Sequence, residues 1–243
     1  LRIQALLWII LARLAVCGIC GEPAPLFQDA FDAPRLDTER WQLTRQGDVK
    51  ESLIDIVDGR LRMRLDTMST RDETVKYHGI RTKQAFSLTD GLEIAMDVDW
   101  NKQANGCYMT AGLYLSPVAT EANPGGEKDW LKFEYVGVPP GQNARALLAV
   151  KVQGRERRVY TEGWPEQRKG RPIGLQKVRL VIRGNSLQIW ENEQKLFETT
   201  ELALPWPQVY LYLQMSSHSN YRAREVFFDN VCVRPPGDEA MKR

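Results

Sequence analysis

The chain has 243 residues, a formal net charge of +2, and 43% hydrophobic and 26% charged residues. This is an ordinary globular composition, long enough to bury a full core as one large all-β domain or two small ones. Lys and Arg are spread along the chain and no recognition-helix or zinc-finger spacing appears, so nucleic acid is excluded as the expected partner.

Residues 1–21 open with an apolar run, "LLWIILARLAVCGICG", followed by "GEPAP". The run is shorter than a comfortable membrane span and ends in small residues, which predicts a secretory signal peptide. The alternative is an uncleaved anchor. Cleavage near residue 21 removes Cys17 and Cys20 and leaves Cys107 and Cys232, as one disulfide or two buried thiols. The expected location is secreted, periplasmic or cell-surface, with no stable membrane span after cleavage. With only His78 and His218 and no clustered Cys–His ligands, zinc is not expected. His78 is left without a role.

Beyond the leader there is almost no helical periodicity. "DIVDGRLRMRLD" (55–66) predicts a hairpin turning at Asp58-Gly59. An extended segment follows at 78–88. "GLEIAMDVDW" (91–100) then alternates, with Leu92, Ile94, Met96 and Val98 apolar and Glu93, Asp97 and Asp99 on the other face. No cation lies on that strand face, so at least one of the three carboxylates, Asp97 at mid-strand, is expected to face a wet groove.

The alternation continues at 106–116, 129–137 and 144–154. Residues 117–128 and 155–175 are too polar or too rich in Pro and Gly for central strands and are read as long loops. Residues 176–198 form a strand-turn-strand unit with its corner at Gly184-Asn185. Strands at 208–217 and 224–235 close the chain. Many short strands with frequent turns indicate a β-sandwich or barrel. The expected division is a leader (1–21), one domain (22–235) and a flexible tail (236–243).

The order of these segments resembles the concanavalin A-like lectin/glucanase superfamily of jelly-roll sandwiches. "FQDAFDAPRLDTERWQL" is similar to its opening segment, "DGRLRMRL" to its second hairpin, and "TAGLYLS…DWLKFEY" to its paired strands. "VRLVIRGNSLQIWENEQKLFE" is similar to its ligand-facing hairpin and "FFDNVCV" to its closing strand. The resemblance covers nearly all of residues 26–234. It implies an all-β, concanavalin A-like jelly roll of two antiparallel sheets, in which the concave face of one is often a ligand groove.

Alternation assigns Glu93, Asp97, Asp99, Tyr108, Thr110, Tyr114, Trp130, Lys132, Glu134, Tyr210, Tyr212 and Gln214 to that groove. Ile94, Met96, Met109, Leu113, Phe133, Leu211 and Leu213 are assigned to the core. Aromatic rings beside carboxylates and amides suit a polysaccharide or glycan, because sugar rings stack on aromatics and hydroxyls need directional partners. The plain alternative is a solvated sheet face.

Glucanases of this superfamily carry Glu-x-Asp-x-x-Glu or its shortened form on one strand. This chain departs from that: Glu93-Ile-Ala-Met-Asp97-Val-Asp99 has the wrong spacing, and "KFEY" offers Glu134 alone. A glycoside hydrolase would have to pair Glu134 with Asp97 or Asp99. A polysaccharide lyase would have to recruit His218, Tyr221 and Arg222. The expectation is therefore a lectin-like binding module, with enzyme and structural or adhesion module as alternatives. The resemblance also implies one structural calcium, with Asp229 and either Asp29 or Asp32 as ligands.

Overall fold

The computed structural model describes residues 23–68, 75–100, 109–137, 145–161, 174–217 and 221–237. In chain order the strands are β1 (Phe27–Asp29), β2 (Trp41–Gln46), β3 (Glu51–Val57), β4 (Arg60–Asp66), β5 (Lys76–Thr82), β6 (Phe86–Ser87), β7 (Leu92–Trp100) and β8 (Met109–Ser116). They continue as β9 (Trp130–Val136), β10 (Arg145–Val152), β11 (Arg155–Thr161), β12 (Gly174–Arg183), β13 (Ser186–Glu191), β14 (Gln194–Thr199), β15 (Gln208–Ser217) and β16 (Arg224–Arg234). Among the described residues the one helical turn is Pro124–Gly126.

The strands form two antiparallel sheets. The first runs β14-β13-β12-β7-β16-β4-β3, with β1 also pairing with β16. The second runs β11-β10-β9-β8-β15-β5-β2, with β6 also pairing with β15. The inner faces close on each other. Leu92, Ile94, Met96 and Val98 of β7 meet Leu113 and Leu115 of β8, Phe133 of β9 and Leu211, Leu213 and Met215 of β15 in one buried cluster. Every core residue named from alternation lies in it. Across the core the Tyr135 hydroxyl donates to Glu191 at 2.5 Å and ties the sheets together.

The predicted hairpin at 55–66 is β3–β4. Asp58 and Gly59 take φ of 52° and 69°, the paired left-handed geometry that a two-residue hairpin turn requires. One assignment is corrected: residues 155–161 are not loop but strand β11, the outer edge of the second sheet. Its polarity is that of an edge strand, which presents unpaired backbone groups and is kept from pairing by charge.

A second correction concerns β7. Its carboxylates do not share a face with β8, β9 and β15, because β7 lies in the first sheet and the other three in the second. The outward faces of the two sheets point away from each other, with a core about 10 Å thick between them.

Candidate functional site

On the outer face of the first sheet, each carboxylate of β7 meets a donor from a neighbouring strand. Glu93 is buried and takes two bonds from Arg234 of β16, at 2.6 and 3.0 Å. Asp99 takes one from Arg60 at 2.6 Å, whose guanidinium crosses β16 over the Phe227 ring at 4.4 Å. Asp97 accepts from the Asn230 side chain at 2.8 Å and faces Lys177 in register. Cations for Glu93 and Asp99 are supplied by β16 and β4, while Asp97, partly exposed, is bonded by a neutral amide.

The calcium expectation falls on the same side of the molecule. Asp29 is fully engaged: it accepts from the Phe31 N–H at 2.9 Å, the Trp41 indole at 2.7 Å and Arg40 at 3.4 Å. Asp229 accepts from the Asn230 N–H at 2.7 Å. Burial, followed by the nearby charges of Asp97 and Asp32, pushes the Asp229 carboxyl above its ordinary range. Calcium takes six to eight oxygens, yet no three acidic, His or Cys side chains converge on a metal position among the described residues. Asp229 and Asp32 stand close enough for their charges to interact, while Asp29 is taken up by its three donors. Cys232 lies half-buried opposite Ala95 on this outer face, and Cys107 lies outside the described residues.

The second sheet carries the remaining candidates in cross-strand rows on its outer face. One row runs Thr44, Gly79, Gln214, Gly112, Glu134, Leu147. The next runs Gln42, Arg81, Tyr212, Tyr114, Lys132, Ala149, Arg158. The glycines have a steric reason. A Cβ on Gly112 would stand 2.2 Å from the Phe133 carbonyl oxygen, and one on Gly79 would stand 2.1 Å from that of Leu213. Between and beside them Gln214 and Glu134 lie on a floor with no side chain at the glycine positions.

The loop 117–129 settles on half of this face. The Trp130 indole donates to the Gly125 carbonyl at 3.2 Å, and the Tyr212 hydroxyl donates to the Val118 carbonyl at 2.6 Å. Arg81 donates to the Thr120 carbonyl at 3.1 Å. Asn123 is buried, donates to Gln214 at 3.3 Å, and accepts from the Gly125 N–H at 2.6 Å. Gln214 in turn donates to Thr44 at 2.7 Å. Tyr212, Tyr114 and Trp130 are 0%, 2% and 2% exposed, so their rings face the loop and one another rather than solvent. The loop fills the aromatic half of the face. Tyr210 stays half-buried at the margin, with the Arg81 guanidinium 5.5 Å from its ring. Tyr108 lies outside the described residues, as does His218.

What remains is a recessed polar patch beside the loop. Lys132 and Glu134 form an ion pair at 2.8 Å, with side chains 14% and 5% exposed. Thr110 and Ser216 share a 2.6 Å hydrogen bond. Burial, and then the Glu134 charge, push the Tyr77 hydroxyl up to about 12, while a hydrogen bond with Tyr114 acts the other way. The same two causes raise Tyr114 well above its ordinary value. Both phenols stay protonated at any physiological pH, so they are hydrogen-bonding groups and not bases. Tyr77 lies one residue before the extended segment expected at 78–88, and the period of Tyr77, Gly79 and Arg81 is the sequence signal that marks it.

The outward positions of β9 are Trp130, Lys132 and Glu134, which give this strand one outward carboxylate. Glu156 of β11 is an acid elsewhere on the same sheet, opposite Lys151. Its charge, like that of Glu134, reaches the Tyr77 and Tyr114 hydroxyls. Two catalytic carboxyl groups of a retaining glycosidase stand about 5–5.5 Å apart. Asp97 and Asp99 are on the opposite side of the core. The pairs weighed from sequence are therefore not assembled.

No protein-family model and no curated protein matches the chain in sequence. Solved structures do match in fold. An endo-acting O-glycanase of the human gut microbiota, described as initiating mucin breakdown, superposes with a TM-score of 0.62 at 14% identity, over 88% of this chain and 100% of that one. A β-1,3-glucanase from Mycobacterium marinum gives 0.57 at 13%, over 88% and 100%. An immunostimulatory antigen and pseudo-β-1,3-glucanase of Mycobacterium tuberculosis gives 0.59 at 14%, over 88% and 99%. The fold is the concanavalin A-like jelly roll.

Proposed function

We propose that this concanavalin A-like jelly roll binds a glycan on the outer face of its second sheet and does not cleave it. The observation that carries the reading is the state of Glu134. It is the one outward carboxylate of β9, it is recessed, and it is tied to Lys132 at 2.8 Å. A carboxylate in that state accepts hydroxyl protons well, and a charge-assisted bond of this kind contributes about 1.5–3 kcal/mol. Thr110, Ser216 and Tyr77 supply further hydroxyl partners around it, and the glycine floor leaves room for a ring. The fold of the matched glycanases supports a carbohydrate ligand, and one of the matched structures is described as a pseudo-β-1,3-glucanase. Export to a secreted, periplasmic or cell-surface location belongs to the same proposal and rests on the apolar leader, which lies outside the described residues.

A second reading, hydrolysis, is favoured by the glycanases among the matched folds. It needs a second carboxylate beside Glu134. Incubation with a panel of polysaccharides separates the readings. The proposal predicts retention on at least one immobilised glycan with no release of reducing ends. Release that is lost in Glu134→Gln would establish the hydrolase instead. No retention on any glycan would leave a structural or adhesion module.

A further inference from the structure

The β10–β11 hairpin stands at the edge of the face just described and carries an unbalanced charge. Arg155, Glu156, Arg157 and Arg158 are all exposed, and β11 is the edge strand of the sheet. Lys128, also exposed, joins them, because its carbonyl accepts the Gly154 N–H at 2.8 Å at the hairpin turn. Glu156 faces Lys151 in register. Two further acids nearby are engaged. Asp129 accepts from the Gln153 N–H at 2.8 Å and the Trp206 indole at 3.2 Å. Glu134 is held by Lys132. Among the described residues Arg157 makes one long bond, to the Glu201 carbonyl at 3.5 Å.

We infer that the glycan bound by this chain is anionic, carrying carboxylate or sulfate groups, and that Arg155, Arg157, Arg158 and Lys128 form its charge-recognising subsite. The inference rests on the proposed glycan binding and names the chemical class of the ligand. Arg158 stands in the row of Lys132 on the outer face, with Glu156 on that same face, and period-two alternation puts Arg155 and Arg157 on the other side of this edge strand. A chain leaving the polar patch therefore meets Arg158 on the face and Arg155 and Arg157 where it turns over the edge. Protection of an edge strand requires charge of any kind. Three arginines in four residues add a fork of donors that matches the planar carboxylate and the sulfate oxygens. Such a surface also draws an anionic ligand from a distance, and salt weakens that attraction.

The test uses the full chain, with dextran sulfate and its uncharged parent dextran as probes, titrated by calorimetry at 50 and 200 mM salt alongside a glycan array containing neutral, carboxylated and sulfated members. The inference predicts binding to dextran sulfate that weakens at least tenfold at the higher salt. It predicts a further loss of at least tenfold in a triple variant, Arg155→Gln, Arg157→Gln and Arg158→Gln, with an unchanged melting temperature. It also predicts array hits confined to acidic glycans. Neutral glycans bound as well as acidic ones, or dextran sulfate bound equally by the triple variant, would overturn the inference and leave glycan binding standing. No binding to any probe or array member would overturn both.

Discussion

At the scale of single residues, two ionisable groups make the stability depend on pH in opposite directions. His78 is buried, with Nδ1 2.6 Å from the Ser52 hydroxyl, so it links β5 of one sheet to β3 of the other. Burial, and then the nearby Arg45, lower it from 6.5 to about 4, against a backbone hydrogen bond to Gly47. A depressed value means that the unfolded chain binds the proton first. The stabilisation is complete above pH 6.5 and is lost as pH falls through about 4, an effect of about 3 kcal/mol. Chemical denaturation of His78→Gln should show a flatter stability profile across that window than the parent. Asp229 has the opposite sign. Its raised value means that the folded state holds its proton more tightly, so the contribution favours folding in acid and disappears as pH rises through the folded value. Asp229→Asn should therefore melt higher than the parent at neutral pH, with the gap closing in acid. A bound calcium would reverse this: the variant would melt lower, and chelator would lower the parent's melting temperature.

At the scale of elements, the loop 117–129 decides what the second sheet can present. Its hold depends on Asn123, which is buried, bonds Gln214, and caps the turn Pro124–Gly126 through the Gly125 N–H. Asn123→Ala should cost about 1–3 kcal/mol, the range for leaving buried polar partners unsatisfied. It should also open Trp130 to solvent, read as increased acrylamide quenching of tryptophan fluorescence alongside the lowered melting temperature. Unchanged quenching with full stability would mean that the loop is held by its backbone bonds alone. The sequence could not announce this loop's position, because Pro, Gly and Asn mark an irregular segment without saying where it lies. Strand faces were legible: Ile94, Met96, Leu113, Phe133 and Leu213 all entered the core as alternation required. Sheet membership was not. Alternation in β7 separates Glu93, Asp97 and Asp99 from the core side of that strand, yet carries no sign that the chain crosses to the other sheet before β8. Arg234 and Arg60, the partners of Glu93 and Asp99, are 141 and 39 residues distant in sequence, beyond the reach of any local pattern. The arginines of β11 were misread for a related reason: an edge strand with charge on both sides has the composition of a loop.

At the scale of the whole molecule, the jelly roll presents two outer faces with different chemistry. The first sheet's face carries ion pairs that span β7, β16, β4 and β3. The second sheet's face combines an aromatic half sealed by a loop with a recessed polar half at Glu134 and a cationic rim. Recognition is assigned to that second face, and the assignment is tested most directly by titrating one array-identified glycan into three proteins by calorimetry: the parent, Glu134→Gln and Asp97→Asn. The account predicts a loss of about 1–3 kcal/mol in Glu134→Gln, the range for a hydrogen bond to a charged group, and parental affinity in Asp97→Asn. Full affinity in Glu134→Gln together with a loss in Asp97→Asn would place the glycan on the first sheet and contradict it.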